Sequence, residues 1–261
     1  MKKITLFFCV LALSSCVNIG TTIKLAKGPI EERTIIIPES ATALVTSHGA
    51  DVTVDYSLAP NEVCVKTHSD IFDILNIEVE ESTLSIGIEQ NSLCAKTFEV
   101  RIPALAYNDI AVLGGSDFTW SNGVAESLTI TASGGADVEL NGGVFINMNL
   151  SVSGGADASL NNIKAENVDI TASGGADVEA TGQCSILNVT VSGGADADLD
   201  ELHAEQANVS ASGGSDSTVY ASKTLNIDAT GGADVSYYGS PISTHINISG
   251  GADVECEEIN N

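Results

Sequence analysis

From about residue 108 onward, apolar and polar side chains alternate with a period of two, and the alternation restarts about every 20 residues. One apolar position is held by Ile110, Ile130, Leu150, Ile170, Val189, Val209, Ile227 and Ile246. Two residues later come Val112, Ala132, Val152, Ala172, Val191, Ala211, Ala229 and Ile248, and two residues earlier Leu128, Met148, Val168, Leu187, Ala207 and Leu225. The residues between them, such as Thr129, Thr131, Asn149, Ser151, Asp169 and Thr171, are polar. A period of two puts successive side chains on opposite faces, so each run reads as a strand with one buried face.

Each run ends in Gly-Gly-Ala-Asp or Gly-Gly-Ser-Asp, whose copies begin at Gly114, Gly134, Gly154, Gly174, Gly193, Gly213, Gly231 and Gly250. The alternation then resumes with Phe118, Val138, Ala158 and Val178, followed by Trp120, Leu140, Leu160 and Ala180. A second turn falls at Asn122-Gly123, Asn141-Gly142-Gly143, Asn161-Asn162 or Thr181-Gly182. A hairpin meander does not require the same inward columns at fixed offsets in every copy; a solenoid does, because each coil lies on the one before. The pattern predicts an all-β chain, a single-stranded right-handed parallel β-helix with coils of about 20 residues. The hand follows from the preference of parallel crossovers. Rungs about 4.8 Å apart make the regular part a rod on the order of 40 Å long.

The chain divides into a leader (1–15), a lipidated N-terminus and tether (16–33) and a β-helix domain (34–261). Within that domain, 34–107 reads as irregular, wider first coils and a cap, and 108–256 as the regular coils. His48-Gly49-Ala50-Asp51 resembles a degenerate ninth copy of the repeat. The leader has Lys2 and Lys3 before an apolar run that is too short to span a membrane. Its end, Leu13-Ser14-Ser15-Cys16, resembles a bacterial lipobox, which makes Cys16 the expected lipidation site and the membrane a partner through that lipid.

Removing the leader leaves 8 basic and 35 acidic residues, a net charge of −27 with histidine neutral. Lys164 and Lys223 are the only lysines or arginines after Arg101. Such a surface repels nucleic acid and anionic headgroups. Export permits disulfides, and Cys64 and Cys94 lie in neighbouring strand-like runs where a bridge is possible. Cys184 and Cys256 fall in coils too far apart to bridge, and parity places Cys256 in the core. No Cys/His spacing suggests zinc.

These residues resemble the auto-transporter adhesin head GIN domain family. The resemblance rests on Arg33 through Gly49-Ala50-Asp51-Val52-Thr53-Val54, on Leu84-Ser85-Ile86, on Val100-Arg101-Ile102-Pro103, on the Gly-Gly repeats, and on Tyr237-Tyr238-Gly239-Ser240-Pro241. It covers about residues 31–255 and implies a right-handed parallel β-helix; it brings no catalytic residues with it.

The candidate site is the recurring aspartate: Asp117, Asp137, Asp157, Asp177, Asp196, Asp216, Asp234 and Asp253, with Asp51 in the degenerate copy. Parity points these side chains outward. One reading is turn chemistry, in which each carboxylate bonds nearby backbone N–H groups. The other is a cation ladder, with calcium as the ion, although one carboxylate per rung is few ligands for calcium. The histidines His48, His68, His203 and His245 are scattered and read as surface residues. Trp120 and Tyr237 fall on inward parity, and Tyr238 is the better surface aromatic for stacking on a sugar. Polysaccharide-degrading β-helix enzymes place acids and bases in long loops over a groove; coils this regular leave no room for such loops. The expected role is therefore a non-catalytic, lipid-anchored envelope protein that binds a protein or glycan, with a periplasmic structural or envelope-stress role as the alternative. Val17-Asn18-Ile19-Gly20 lacks an acidic surface-export run, which leaves the periplasmic and cell-surface faces both open.

Overall fold

The structure is a computed structural model that describes residues 24–38, 41–89 and 93–257. The expected leader, Cys16 and the tether up to residue 23 lie outside the described residues. The chain is all-β, a β-solenoid of about 7 turns with coils of about 20 residues. Six coils each form one long strand, Asp117–Gly134, Asp137–Gly154, Asp157–Gly174, Asp177–Gly193, Asp196–Gly213 and Asp216–Gly231. Each pairs in parallel with the next, so that Ile130, Leu150, Ile170, Val189, Val209 and Ile227 stand over one another. The ladder is interrupted at the Gly-Gly turn and, more briefly, at the second corner, where the chain bends through left-handed residues such as Asn122 (φ 55°) and Asn162 (φ 54°) that have no partner in register.

The inward columns are the core. Ile130, Ala172, Leu187 and Leu225 are fully buried, and Phe118 and Trp120 close the first regular coil. Coils of 19 and 18 residues still keep these columns aligned, because the register shifts fall around the second corner, between Leu160 and Ile163, Glu179 and Gly182, and Leu199 and His203. On the outer side, asparagines at one repeat position bond from rung to rung. Asn226 Nδ2 donates to Asn208 Oδ1 (2.7 Å), Asn208 to Asn188 (2.8 Å) and Asn188 to Asp169 (2.6 Å). Stacked amides of this kind reinforce an in-register ladder.

The N-terminal part does not follow chain order. Ala43–Thr46 pairs in parallel with Asp109–Leu113 on one side and with Thr83–Ile88 on the other. Asp51–Asp55 likewise lies between Asp117–Gly134 and Phe98–Pro103. The rung built from residues 83–103 is therefore outermost, although it comes later in sequence than the rung built from 43–55. These irregular first rungs are thus laid down by an excursion and return of the chain. Antiparallel strands close this end: Glu62–His68 joins Phe98–Pro103 to Ile30–Ile36, and Leu75–Glu80 pairs with Thr83–Ile88.

At the other end no later rung covers Ser243–Ile248 and Asp253–Cys256 among the described residues. Ile246 and Ile248, expected inward, are 37% and 50% exposed. Cys256, expected in the core, is exposed for the same reason. Parity was read as it would hold within a stack, and the last rung has a neighbour on one side only.

From the second copy of the repeat onward, glycine is required at the first position and not at the second; in the first copy Gly115 is left-handed as well (φ 90°). Gly154 has φ +83°, and a Cβ there would lie 3.2 Å from the backbone of Gly134. Gly155 has no positive φ, and its Cβ would meet the Gly134 carbonyl oxygen at an ordinary 3.6 Å. Gly154→Ala is expected to lose about 1–2 kcal/mol from the left-handed backbone alone, while Gly155→Ala melts close to wild type. Equal losses in paired thermal melts would contradict the assigned roles. The core makes a parallel contrast. Ile170 is buried and Thr171 exposed. Ile170→Asp buries an unpaired charge and is expected to cost on the order of 4–5 kcal/mol; Thr171→Asp keeps the cooperative melt. Indistinguishable melts for these two would show that the inward face is wrongly assigned.

Candidate functional site

The aspartate column is built by the turn that precedes it. The residue after the Gly-Gly pair points into the core; Ala136, Ala156 and Ala176 have no exposed surface. The next residue must then face out, and its backbone N–H is held by the rung below: Asp157 N–H donates to the Ala136 carbonyl (3.0 Å) and Asp196 N–H to that of Ala176 (3.0 Å). Asp51, Asp117, Asp137, Asp157, Asp177, Asp196, Asp216, Asp234 and Asp253 are all exposed and stand in one register.

Their side chains do not shape the turn. Within the column only Asp253 uses its carboxylate on backbone, accepting from Val254 N–H at 2.8 Å. The left-handed glycine makes the turn, and the ladder fixes the aspartate backbone. The carboxylates themselves are left facing solvent.

Beyond Asp51 the ladder continues to Glu99, its partner in register. Glu99 lacks the Gly-Gly signature and was not identified from sequence; the signal available was its outward place in the Phe98–Ile102 alternation. Lys66 neutralises it in part, with Nζ 2.8 Å from Oε2. Crowding shows at this end. Burial, then the charge of Glu99, raises the Asp51 pKa above its ordinary value. Burial, then Asp51 and Asp137, does the same to Asp117.

A shallow groove of about 490 Å³ runs along the column. Asp117, Asp137, Asp157 and Asp177 form one wall and Thr119, Glu139, Ser159 and Glu179, in that order, the other. Two acidic rows with no basic side chain lining them make a site that attracts cationic groups. Calcium needs six to eight oxygens around one point. No group of three or more His, Cys, Asp or Glu side chains among the described residues is placed to hold a metal ion.

Other candidates fall elsewhere. The bridge considered between Cys64 and Cys94 is not formed: Cys64 is a free thiol. Its strand partners are Thr34 and Arg101, while Leu93–Cys94 pairs with Lys24–Leu25. The Cys64 thiol donates to Glu32 Oε1 (2.9 Å), and Arg101 bonds both Glu32 (2.6 Å) and Asp55 (2.9 Å). The Cys64 thiol and Arg101 hold the Glu32 carboxyl below its usual range. The Ser57 hydroxyl, more than Arg101, does the same for Asp55. This cluster ties Ile30–Ile36 and Glu62–His68 to the first rungs, a structural task.

Trp120 is 2% exposed and donates its indole N–H to the Tyr56 hydroxyl (3.1 Å), with Tyr107 edge-on to its ring. It is a core residue. Tyr237 and Tyr238 are both half-buried. His203 and His245 are exposed as expected, whereas His68 is half-buried, its Nδ1 2.8 Å from the Gly28 carbonyl.

The family described as "Putative auto-transporter adhesin, head GIN domain" matches residues 42–241. Among solved structures, a "putative adhesin" of Parabacteroides merdae superposes with a TM-score of 0.83 at 16% identity, covering 89% of this chain and 98% of its own. A "putative lipid binding protein" of Parabacteroides distasonis gives 0.79 at 21% identity, covering 89% and 98%. A further "putative adhesin" of that organism gives 0.79 at 18% identity, covering 90% and 99%. At these identities the likeness concerns the fold. No curated protein matches the chain.

The raised pKa of Asp117 has a definite sign in stability. Between the ordinary aspartate value and the raised one, the folded chain binds more protons than the unfolded chain. Stability therefore falls as pH rises through that window and stays lower above it. Asp117→Asn is expected to raise the melting temperature at pH 7. The gain should vanish below the ordinary aspartate range, where Asp117 is protonated in both states. A gain that persists unchanged in acid would show that the substitution acts by packing and not by charge.

Proposed function

The chain belongs to the auto-transporter adhesin head GIN domain family, and from that premise we propose that it is a non-catalytic, lipid-anchored envelope protein that presents a rigid acidic rod for binding. The observation that carries this reading is the groove between the two acidic rows. It is built on backbone register rather than on loops, so it is rigid, and no basic side chain lines it. Rigidity lowers the ordering cost of binding, and a carboxylate-lined channel on a chain of net charge −25 draws cationic groups of a partner from a distance. The family description and the adhesin names of the neighbouring structures agree with a binding role.

Cys16 is the proposed anchor. A single lipid-modified residue at the start of the tether would hold the rod at a membrane without any spanning segment. Cys16→Ser is expected to abolish incorporation of labelled fatty acid and to move the protein from the membrane to the soluble fraction; unchanged membrane association would end the anchor proposal. Protease applied to intact cells then separates the two envelope faces. Digestion of the rod supports adhesion at the cell surface. Protection until the outer layer is opened rules out surface adhesion and favours the alternative, a periplasmic structural or envelope-stress component.

A further inference from the structure

The face that follows the second corner differs from the rest of the rod. Both lysines that follow Arg101 in sequence lie on it, Lys164 and Lys223, together with His203. Lys164, Gln183 and His203 stand over one another on three consecutive rungs, and Tyr220 follows in register on the fourth. All three are exposed. The His203 ring lies flat on Tyr220, 4.4 Å between centroids and 13° from parallel, which fixes its orientation. Lys223 is engaged by Glu205 at 2.6 Å. Among the described residues no hydrogen bond or ion pair occupies the Lys164 ammonium, the Gln183 amide or the His203 ring nitrogens.

Two shallow cavities, of about 310 and 320 Å³, flank this column and share its three side chains. Asn162, Thr181 and Glu201 edge the first, and Ser185 and Glu205 the second. The lining thus offers an ammonium, amides, an imidazole, hydroxyls and two carboxylates within one strip. Sugar hydroxyls both donate and accept, and this mixture suits them. Glu201, Glu205 and the chain's net charge of −25 disfavour an anion. Ile163, the large apolar side chain lining the first cavity, is buried. The exposed valines of the same column, Val144 and Val124, lie on the rungs beyond Lys164 and outside both cavities, so the cavities offer a lipid tail no large apolar surface. The backbone here is already spent on the ladder to the rungs above and below, so an added peptide strand finds no free edge. The rung repeat of about 4.8 Å is close to the length of one pyranose residue.

We propose that this strip binds a neutral, hydroxyl-rich glycan chain lying along the rod axis, with Lys164, Gln183 and His203 each meeting a successive sugar. The inference rests on the reading of the rod as a binding protein and adds a ligand class and a site.

Isothermal titration of the full exported chain with cellohexaose, xylohexaose, maltohexaose and mannohexaose tests it. Saturable binding of at least one is expected. Gln183→Ala and His203→Ala should each weaken that binding about five- to tenfold, with melting temperatures unchanged. Asp157→Asn, in the acidic groove, should leave the affinity as it is. Absence of binding to all four saccharides overturns the proposal. So does a loss in Asp157→Asn equal to that in Gln183→Ala, which would put the sugar in the acidic groove. The anchoring and protease experiments do not depend on this strip. A rod that is anchored and exposed but indifferent to saccharides loses the glycan site and keeps the binding role; one that binds saccharides but is protected in the periplasm loses surface adhesion and keeps the site.

Discussion

Everything in this molecule depends on parallel backbone hydrogen bonding between successive coils in unbroken register. Once Gly134 lies over Gly114 and Gly154 over Gly134, every other position of the coil is stacked on its own copy. Buried positions become continuous apolar columns, so each coil buries its inner face only with the help of its neighbours. The register also explains where variation in coil length is tolerated. Deletions are absorbed at the second corner and just after it, and the columns on either side stay aligned.

Register stacks polar residues as strictly as apolar ones, with opposite consequences. Asparagines placed over one another donate and accept in turn, and the column bonds itself together. Aspartates placed over one another can only accept, and they repel. The pKa values of Asp51 and Asp117 rise where the ladder also meets Glu99 and is partly desolvated. A column that costs stability and shapes no turn is best accounted for by what it presents to solvent, an acid-lined groove. The opposite composition of the Lys164–Gln183–His203 strip shows that the same scaffold can carry a different chemistry on each face.

The two ends of the rod solve the problem of the unpaired edge differently. At the N-terminal end, antiparallel strands and the Arg101 cluster close the stack. At the C-terminal end, Ile246, Ile248 and Cys256 occupy inward positions of the repeat without a further rung to cover them. An inward place in the repeat is therefore a necessary condition for burial and not a sufficient one.

The repeat by itself determined the solenoid, the coil length, the inward columns and the outward aspartate column. These are properties of one coil, and local alternation with a glycine at a left-handed turn specifies one coil completely; stacking only multiplies it. Tertiary structure decided what depends on coils distant in sequence. It put residues 83–103 outside 43–55, brought Glu99 under Asp51, and kept Cys64 apart from Cys94 by pairing it with Thr34 and Arg101. It also gathered Lys164, Gln183, His203 and Tyr220 into one strip, because residues of unlike type at matching offsets carry no visible motif until the rungs are laid on one another.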